Sequence, residues 1–249
     1  MLSFIEKREL QRSIQLKFES IFKQEKFREQ LEVVQKADFS PVTEIDLYIS
    51  LQIKKCLKNH SDLSSFHFFS EEDPESFQFP CAILDPIDGT RELVRGYPEI
   101  ALSLALMSSS SEGWAWIYNP FTGFSLSSDD LFYPAPHYAD DIKVGLTSRS
   151  EWEKGLYADL KLNGPVRVTP RGSIAFKLGL LAAGACDFVV TKRGKNIWDI
   201  AAGTLLCKER GFFLYKDGKK IEKLETSRLD GPLYWCRPED NELILDFLS

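Results

Sequence analysis

The chain contains 249 residues, of which 43% are hydrophobic and 27% are charged, and this balance excludes a disordered or fibrous protein. Its formal net charge of -6 argues against binding to a nucleic-acid polymer, because such binders usually carry a basic surplus, but it leaves room for a local basic pocket. The five cysteines are scattered without a CxxC pair, so we expect neither a disulfide framework nor a zinc site, and a cytoplasmic location fits best.

The sequence carries little that is typical of membrane attachment. The first ten residues, MLSFIEKREL, place charges where a signal peptide needs its apolar run. The most apolar stretch, Leu178 to Val190, is interrupted by Asp187 and is too short to span a bilayer. We therefore expect no membrane partner.

Two amphipathic helices and a set of short strands are predicted for the first part of the chain. Apolar residues at helical spacing indicate one helix through Leu10, Ile14 and Phe18 and another that begins at Thr43. Strands and a short helix are then predicted, the strands over 66–69, 81–84, 101–107 and 114–118 and the helix over 90–94. Asn119-Pro120 and Gly123 supply a turn for a hairpin.

The polar segment 127–141 is the predicted boundary between an N-terminal α+β half, residues 1–130, and a C-terminal α/β half, residues 131–249. Beyond it, strands and helices alternate, which favours an α/β fold. The strands are predicted over 142–147, 166–169, 188–190 and 212–215, and the helices over 150–160, 173–183, 199–209 and 239–248. Asp217-Gly218 fits a hairpin turn.

Carboxylates follow several of the predicted strands. Glu71 and Glu72 follow the first strand, Asp85 and Asp88 the second, and Asp199 stands at the start of a late helix. If these groups converge, they repel one another unless cations neutralise them, and such oxygen ligands suit Mg²⁺. Taken singly, each motif also has a structural explanation as a turn, a solvated loop or a helix start.

The segment from Asp85 to Thr90 has a mechanical interpretation. Pro86 fixes its own φ angle and enforces a turn, which aims Asp85, Asp88 and the Ile87 carbonyl at one point. Gly89 lets the backbone approach a ligand, and the amides that follow open a short helix suited to phosphate. Asp46 is more ambiguous, because Thr43-x-x-Asp46 has the form of a capping box and Asp46 also fits a cap alone.

In combination, the motifs resemble the inositol monophosphatase superfamily of lithium-sensitive, Mg²⁺-dependent phosphatases. Four motifs occur in the family's order over about residues 30 to 210. They are Pro41-Val42-Thr43-Glu44-Ile45-Asp46, Ser70-Glu71-Glu72-Asp73, Asp85-Pro86-Ile87-Asp88-Gly89-Thr90 and Trp198-Asp199-Ile200-Ala201-Ala202-Gly203, with Arg171-Gly172-Ser173 and Leu181-Ala182-Ala183-Gly184 flanking the last. The resemblance implies an alternating αβαβα sandwich, a small phosphorylated substrate and, often, a homodimer.

The resemblance also implies roles for individual residues. It implies two or three Mg²⁺ ions, held by Glu71, Asp85, the Ile87 carbonyl, Asp88 and Asp199. Glu71, Thr90 and Asp46 would be catalytic: Thr90, oriented by Asp46, would position and deprotonate the attacking water. Glu72 would lie behind the metal ligands, and the Gly89 and Thr90 amides would hold the phosphate.

The substrate is suggested by departures from the inositol phosphatase pattern. Before the Trp-Asp motif the chain is basic where those enzymes usually carry an acidic residue, and Arg91-Glu92-Leu93 resembles the bisphosphate nucleotidase branch. We therefore predict that Lys192, Arg193 or Lys195 contacts a second anionic group, although the same residues also fit a solvated basic loop. The predicted function is that of a 3′(2′),5′-bisphosphate nucleotidase-like phosphatase.

Three alternatives stay open at this point. The first is an inositol monophosphatase or a sugar bisphosphatase, which only a comparison of substrates separates from the nucleotidase. The second is a regulatory protein that keeps the fold and binds a partner. The third is a magnesium or phosphate sensor without turnover. A regulatory protein could tolerate the loss of metal ligands, and a sensor without turnover requires the water-activating pair to be absent, whereas all of these residues are present in the sequence.

Overall fold

The computed structural model of the chain describes residues 2–22, 33–35, 41–74, 76–131, 142–160 and 164–249. The predicted boundary segment therefore lies partly outside the described residues. Seven α-helices are present in the described part: α1 Phe4–Phe22, α2 Glu44–Lys58, α3 Thr90–Val94, α4 Arg149–Glu153, α5 Ile174–Ala182, α6 Ile197–Glu209 and α7 Asn241–Leu248. None of the described helices is both long and apolar enough to cross a membrane.

The strands form two larger sheets and two small ones. The first half contains β1 Val33–Gln35, β2 Pro41–Thr43, β3 His67–Ser70, β4 Cys81–Asp88, β5 Ala101–Met107, β6 Gly113–Tyr118 and β7 Ser125–Ser127. The second half contains β8 Lys143–Ser148, β9 Val166–Arg171, β10 Phe188–Thr191, β11 Lys195–Asn196, β12 Phe213–Lys216, β13 Lys219–Lys220, β14 Arg228–Leu229 and β15 Leu233–Cys236.

The five-stranded sheet has the order β3-β4-β5-β6-β7, and the six-stranded sheet has the order β13-β12-β15-β10-β8-β9. In the first sheet only β3 and β4 run parallel. In the second, β8 runs parallel to both β9 and β10, and the other pairs are antiparallel. The small pairs β1-β2 and β11-β14 are antiparallel. Each larger sheet falls within one predicted half of the chain, and the division itself stays a prediction.

Period-two burial shows how the five-stranded sheet is covered on both faces. Along β5, Ala101 and Ala105 belong to one apolar core, while Leu102 and Leu104 belong to another. Alternate side chains of a strand point to opposite faces, so β5, which is buried throughout, is packed on both sides. Helices α1 and α2 supply the second core, in which Leu10, Ile14, Phe18, Ile49 and Ile53 are buried.

Helices α5 and α6 fill the space between the two sheets. Their side chains share one core with inward residues of both sheets, among them Ile83 and Ile117 on one side and Val189 and Trp235 on the other. A third core lies on the outer face of the six-stranded sheet, where Ile244 of α7 packs with Phe188 and Tyr234 of the sheet. The order helix, sheet, helix, sheet, helix confirms the alternating αβαβα sandwich.

Two predicted elements differ from the structure, and several short strands were not predicted. The strand that begins at Cys81 does not turn at Asp85-Pro86 but continues to Asp88. The helix predicted over 150–160 ends at Glu153 and is followed by turns. Strand β15 was not predicted, although Leu233–Cys236 is buried throughout and pairs with both β10 and β12.

Candidate active site

Two of the predicted metal ligands stand on one irregular strand. Strand β4 carries Asp85 and Asp88, and its pairing with β5 shifts register between these two residues. Residues three apart lie on opposite faces of a regular strand, whereas an inserted residue changes which face the chain presents. The irregularity therefore explains how both carboxylates reach the same place, and Pro86, which has no N–H to donate, is tolerated there.

A third carboxylate comes from the other half of the chain. Asp199 is the third residue of α6 and accepts a hydrogen bond of 3.0 Å from the Asn196 amide, in a capping box that fixes the start of the helix. Carboxylate oxygens of Asp85, Asp88 and Asp199 lie within 4.8 Å of one another. The described structure thus brings together three of the predicted ligands, contributed by a strand of one half and a helix of the other.

Burial and mutual repulsion shift the pKa values of Asp85 and Asp199 upward. Asp85 is only 1% exposed, and its burial together with the charges of Glu71 and Asp88 raises its pKa well above the usual range. Burial and the charge of Asp88 raise the pKa of Asp199 to about 8. A pKa raised by neighbouring carboxylates means that the metal-free site resists full ionisation.

Asp88 is held at its Oδ2 atom by the start of α5. Asp88 Oδ2 accepts hydrogen bonds from Ser173 Oγ at 2.7 Å and from the Ala175 amide at 2.6 Å. The Lys177 ammonium, which is 2% exposed, in turn donates to the carbonyl oxygens of Arg171 and Ser173 at 3.0 and 2.9 Å. Ser173 adopts a φ of 50°, so these bonds hold a strained backbone in place.

A buried carboxylate links the same turn to the first half. Glu99 accepts hydrogen bonds from the Gly172 amide at 2.7 Å, from Arg149 at 2.6 Å and from Arg171 at 3.0 Å. These three donors lie in the second half of the chain, whereas Glu99 shortly precedes β5. Glu99 is 6% exposed, whereas the side chain of Arg171 is 47% exposed, so this ion-paired network links the two halves from a buried carboxylate to the surface.

Thr90 and Asp46 lie within hydrogen-bonding distance of each other. Thr90 Oγ1 is 3.1 Å from Asp46 Oδ1 and 3.0 Å from the Ile87 carbonyl oxygen, so its single hydrogen can be donated to either acceptor. Asp46 Oδ2 accepts a hydrogen bond from the Thr43 amide at 2.8 Å and completes the capping box of α2. Asp46 therefore caps its helix and contacts Thr90 at the same time, so the two interpretations are compatible.

Glycine is needed between Asp88 and Thr90. Gly89 has a φ of 99°, a conformation that residues with a side chain rarely adopt. An added Cβ atom would stand 2.9 Å from the Glu99 carbonyl oxygen and 3.3 Å from the Ser173 Cβ atom. The backbone here passes close to the turn that holds Asp88.

An open groove joins these groups to a set of cations. Its lining includes Glu71, the carboxylate cluster, Ile87, Gly89 and Thr90. Among the described residues, Glu71 lines the groove whereas Glu72, the next residue in the bend after β3, does not. Five basic side chains line the groove as well: Arg91, Lys154, Arg193, Lys195 and Arg228.

The three cations of the predicted basic loop have different surroundings in the structure. Arg193 and Lys195 line the groove, whereas the Lys192 ammonium lies over the Tyr157 ring, 5.8 Å from its centroid. Sequence reasoning missed Lys154, which lies in the turn after α4, and Arg228, which lies in β14, because neither carries a local motif. Arg91 could have been found, because it directly follows Thr90 in the first turn of α3.

Several known proteins are similar to this chain in sequence or in fold. A profile described as the inositol monophosphatase family matches residues 5–132. A fructose-1,6-bisphosphatase from Pyrococcus furiosus is 35% identical over 59% of this chain and 61% of its own length, so the match spans less than two thirds of that relative. A 3′(2′),5′-bisphosphate nucleotidase CysQ from Escherichia coli is 26% identical over 77% of this chain and 83% of its own length. The solved structure of an IMPase from Thermotoga maritima, 22% identical, has a TM-score of 0.78 and covers 97% of this chain and 96% of its own.

Proposed function

The chain belongs to the inositol monophosphatase family, and on that premise we propose that it hydrolyses phosphate monoesters of small molecules in a Mg²⁺-dependent reaction. The observation that carries this proposal is the convergence of Asp85, Asp88 and Asp199 within 4.8 Å, beside the hydrogen-bonded pair of Thr90 and Asp46. A location in the cytoplasm and a homodimer stay predictions.

The donor set fits magnesium. Carboxylate oxygens are the ligands that Mg²⁺ prefers, and the raised pKa of Asp199 marks negative charge that a cation would neutralise. Asp85, Asp88 and Asp199 would hold the metal, together with Glu71 and the Ile87 carbonyl, which line the same groove. Bound magnesium supplies Lewis-acid activation of water and neutralises charge on the phosphoryl oxygens.

The pair of Thr90 and Asp46 provides a path for a proton. Thr90 Oγ1 can accept a hydrogen bond from the attacking water while it donates its own hydrogen to Asp46 Oδ1. Burial raises the pKa of Asp46, although its bonds to Thr43 act against this shift, and a raised pKa makes the carboxylate a better proton acceptor. The Gly89 and Thr90 amides, at the start of α3, are proposed to hold the phosphate.

The cations of the groove support a substrate with a second anionic group. Arg193 and Lys195 stand in the same groove as the carboxylates, and Arg91, Lys154 and Arg228 add to the positive charge there. A monophosphate is bound at the metal end alone, whereas a second anionic group would reach the cations further along the groove, of which Arg228 also lies 3.7 Å from Asp230 Oδ1. We favour a nucleoside 3′,5′-bisphosphate as the substrate. A sugar bisphosphate is the second candidate, because the chain is similar to the fructose-1,6-bisphosphatase of Pyrococcus furiosus.

Phosphate release with and without Mg²⁺ tests this proposal on three substrates in parallel: 3′-phosphoadenosine 5′-phosphate, fructose 1,6-bisphosphate and inositol 1-phosphate. Preference for the nucleotide supports the nucleotidase, and preference for the sugar bisphosphate supports the second candidate. Preference for inositol 1-phosphate contradicts a second anionic group while it leaves the metal site standing. An absence of Mg²⁺-dependent release from all three would favour a regulatory protein on this fold.

Substitutions of single cations test whether the groove, rather than the surface charge in general, binds the second anionic group. Arg193→Gln and Lys195→Gln should each raise KM for the preferred bisphosphate about tenfold and leave KM for inositol 1-phosphate within about twofold. Lys219→Gln, in the exposed strand β13, is the matched control and should change neither value. An equal rise in KM for the bisphosphate and for inositol 1-phosphate would contradict the proposed contact with a second anionic group.

A further inference from the structure

A buried carboxylate lies beneath the basic loop at the groove. Glu151 belongs to α4, which begins where β8 ends, and it is 1% exposed. The Glu151 amide donates to the side chain of the N-cap residue Ser148, so the position of Glu151 is fixed by the start of the helix. A carboxylate that is almost fully buried is costly unless its oxygens are satisfied by donors.

Four donors satisfy Glu151, and three of them come from one loop. Oε1 accepts from Thr191 Oγ1 at 2.7 Å and from the Arg193 amide at 3.0 Å. Oε2 accepts from the Lys192 amide at 2.9 Å and from the Tyr157 hydroxyl at 2.6 Å. Each oxygen thus accepts from one loop amide and from one hydroxyl, which leaves the carboxylate little freedom to rotate.

The charge of Glu151 is retained despite its burial. Burial acts to raise its pKa, but hydrogen bonds from Tyr157, the Lys192 amide and Thr191 outweigh that effect, and the pKa lies below the usual range. Hydrogen bonds to an ionised acceptor are about twice as strong as those between neutral groups. Two consecutive backbone amides held in this way fix the course of the chain across Lys192 and Arg193.

The course of this loop decides which cations meet the groove. Thr191 ends β10, and the loop then passes through Arg193 to Lys195, where β11 begins. Arg193 and Lys195 line the groove, while Lys192 lies over the Tyr157 ring. Lys192 and Arg193 lie in a bend where both amides turn toward Glu151, so a change in the backbone there would move the Arg193 side chain relative to the groove.

We infer that Glu151 is a positioning residue for the groove, one that fixes the backbone of residues 191–193 and thereby places Arg193 and Lys195 against an anionic substrate. The inference rests on the proposed function of these cations. Glu151 itself would touch neither the substrate nor the metal ligands, and its effect would be confined to substrates that reach the basic loop.

The test is Glu151→Gln, measured in the full-length enzyme with Mg²⁺. Glutamine keeps the size of the side chain but replaces one acceptor oxygen by an NH₂ group, which faces two donors and can accept from neither. We expect KM for 3′-phosphoadenosine 5′-phosphate to rise about tenfold, with kcat and KM for inositol 1-phosphate within about twofold. Hydrogen exchange at the Lys192 and Arg193 amides should accelerate at the same time.

Tyr157→Phe is the matched control, because it removes a donor to the same carboxylate and leaves both loop amides and the aromatic ring in place. It should leave KM for the bisphosphate within about twofold. If Glu151→Gln fails to fold, Thr191→Val removes one loop donor and should shift KM in the same direction by a smaller factor.

The outcomes separate this inference from the proposed function. If Arg193→Gln raises KM for the bisphosphate and Glu151→Gln does not, the positioning role is wrong and the cationic subsite stands. If neither variant changes KM, the subsite itself is wrong, and the inference falls with it. Unchanged amide exchange in Glu151→Gln would also overturn the inference, because the loop would then keep its course without the carboxylate.

Discussion

Replacement of Asp199 by asparagine should stabilise the protein when metal is withheld. The pKa of Asp199 is raised from 3.8 to about 8 by burial and by the charge of Asp88. At pH 7 the unfolded chain ionises this group, while the folded metal-free protein keeps it largely protonated. About three pH units separate 3.8 from pH 7, and each corresponds to about 1.4 kcal/mol, so the penalty on folding is on the order of 4 kcal/mol.

The sign of the pH dependence follows from proton binding. Between its two pKa values Asp199 binds more protons in the folded state than in the unfolded state, so the free energy of unfolding falls as pH rises from about 4 to about 8. The asparagine side chain of the variant lacks this titration but can still accept the hydrogen bond from the Asn196 amide, so the cap of α6 is kept. The advantage of Asp199→Asn should therefore shrink to below about 2 kcal/mol at pH 5.

Urea unfolding in EDTA at pH 5 and pH 7 measures both values for the wild type and the variant. Asp159→Asn, which removes an exposed carboxylate, is the control and should leave the free energy of unfolding unchanged within about 0.5 kcal/mol at either pH. Saturating Mg²⁺ should reverse the order, because the wild type gains a ligand that the variant binds weakly. Equal stability of wild type and Asp199→Asn in EDTA at pH 7 would refute the raised pKa of Asp199 in the metal-free protein.

Three further changes test other parts of the structure. Asp85→Asn should abolish Mg²⁺-dependent phosphate release and reduce the rise in Tm on addition of Mg²⁺, and retention of most activity would contradict the metal assignment. Thr90→Ala should lower kcat about 100-fold with KM within a few-fold, and an unchanged kcat would leave Thr90 with a structural role only. Gly203→Ala should destabilise the fold by about 1–3 kcal/mol in urea unfolding, because the new Cβ atom would crowd the Leu178 Cβ atom between α5 and α6; a loss below about 0.5 kcal/mol would contradict this close approach.

Local patterns predicted the long amphipathic helices well. The stripe through Leu10, Ile14 and Phe18 predicted α1 because a long helix repeats its buried positions over several turns. The short strand β15 lacks such a repeat, and its burial between β10 and β12 depends on tertiary pairing that a sequence pattern does not contain. The helix predicted over 150–160 ends early because a glycine with a φ of 72°, Gly155, follows its first turn.

The residues of the candidate site likewise differ in whether a local sequence pattern predicts them. Asp85, Asp88 and Thr90 could be predicted because they form one contiguous motif. Arg228 could not, since it reaches the groove from β14, whose partner β11 is far away in the sequence. The separation of Lys192 from Arg193 likewise depends on hydrogen bonds to Glu151, which no spacing rule encodes.

The placement of the three carboxylates has a thermodynamic consequence for the whole chain. Asp85 and Asp88 stand on a strand of the first half, and Asp199 stands on a helix of the second, so a cation bound to all three acts as a reversible cross-link between segments distant in sequence. Binding and docking of the halves are then linked, and whatever strengthens one strengthens the other by the same free energy. Glu99 lies in the first half and accepts hydrogen bonds from residues of the second, so its contacts also contribute to the free energy that holds the halves together. Loosening of the Glu99 contacts should therefore weaken metal binding, even though Glu99 belongs to neither the cluster nor the groove.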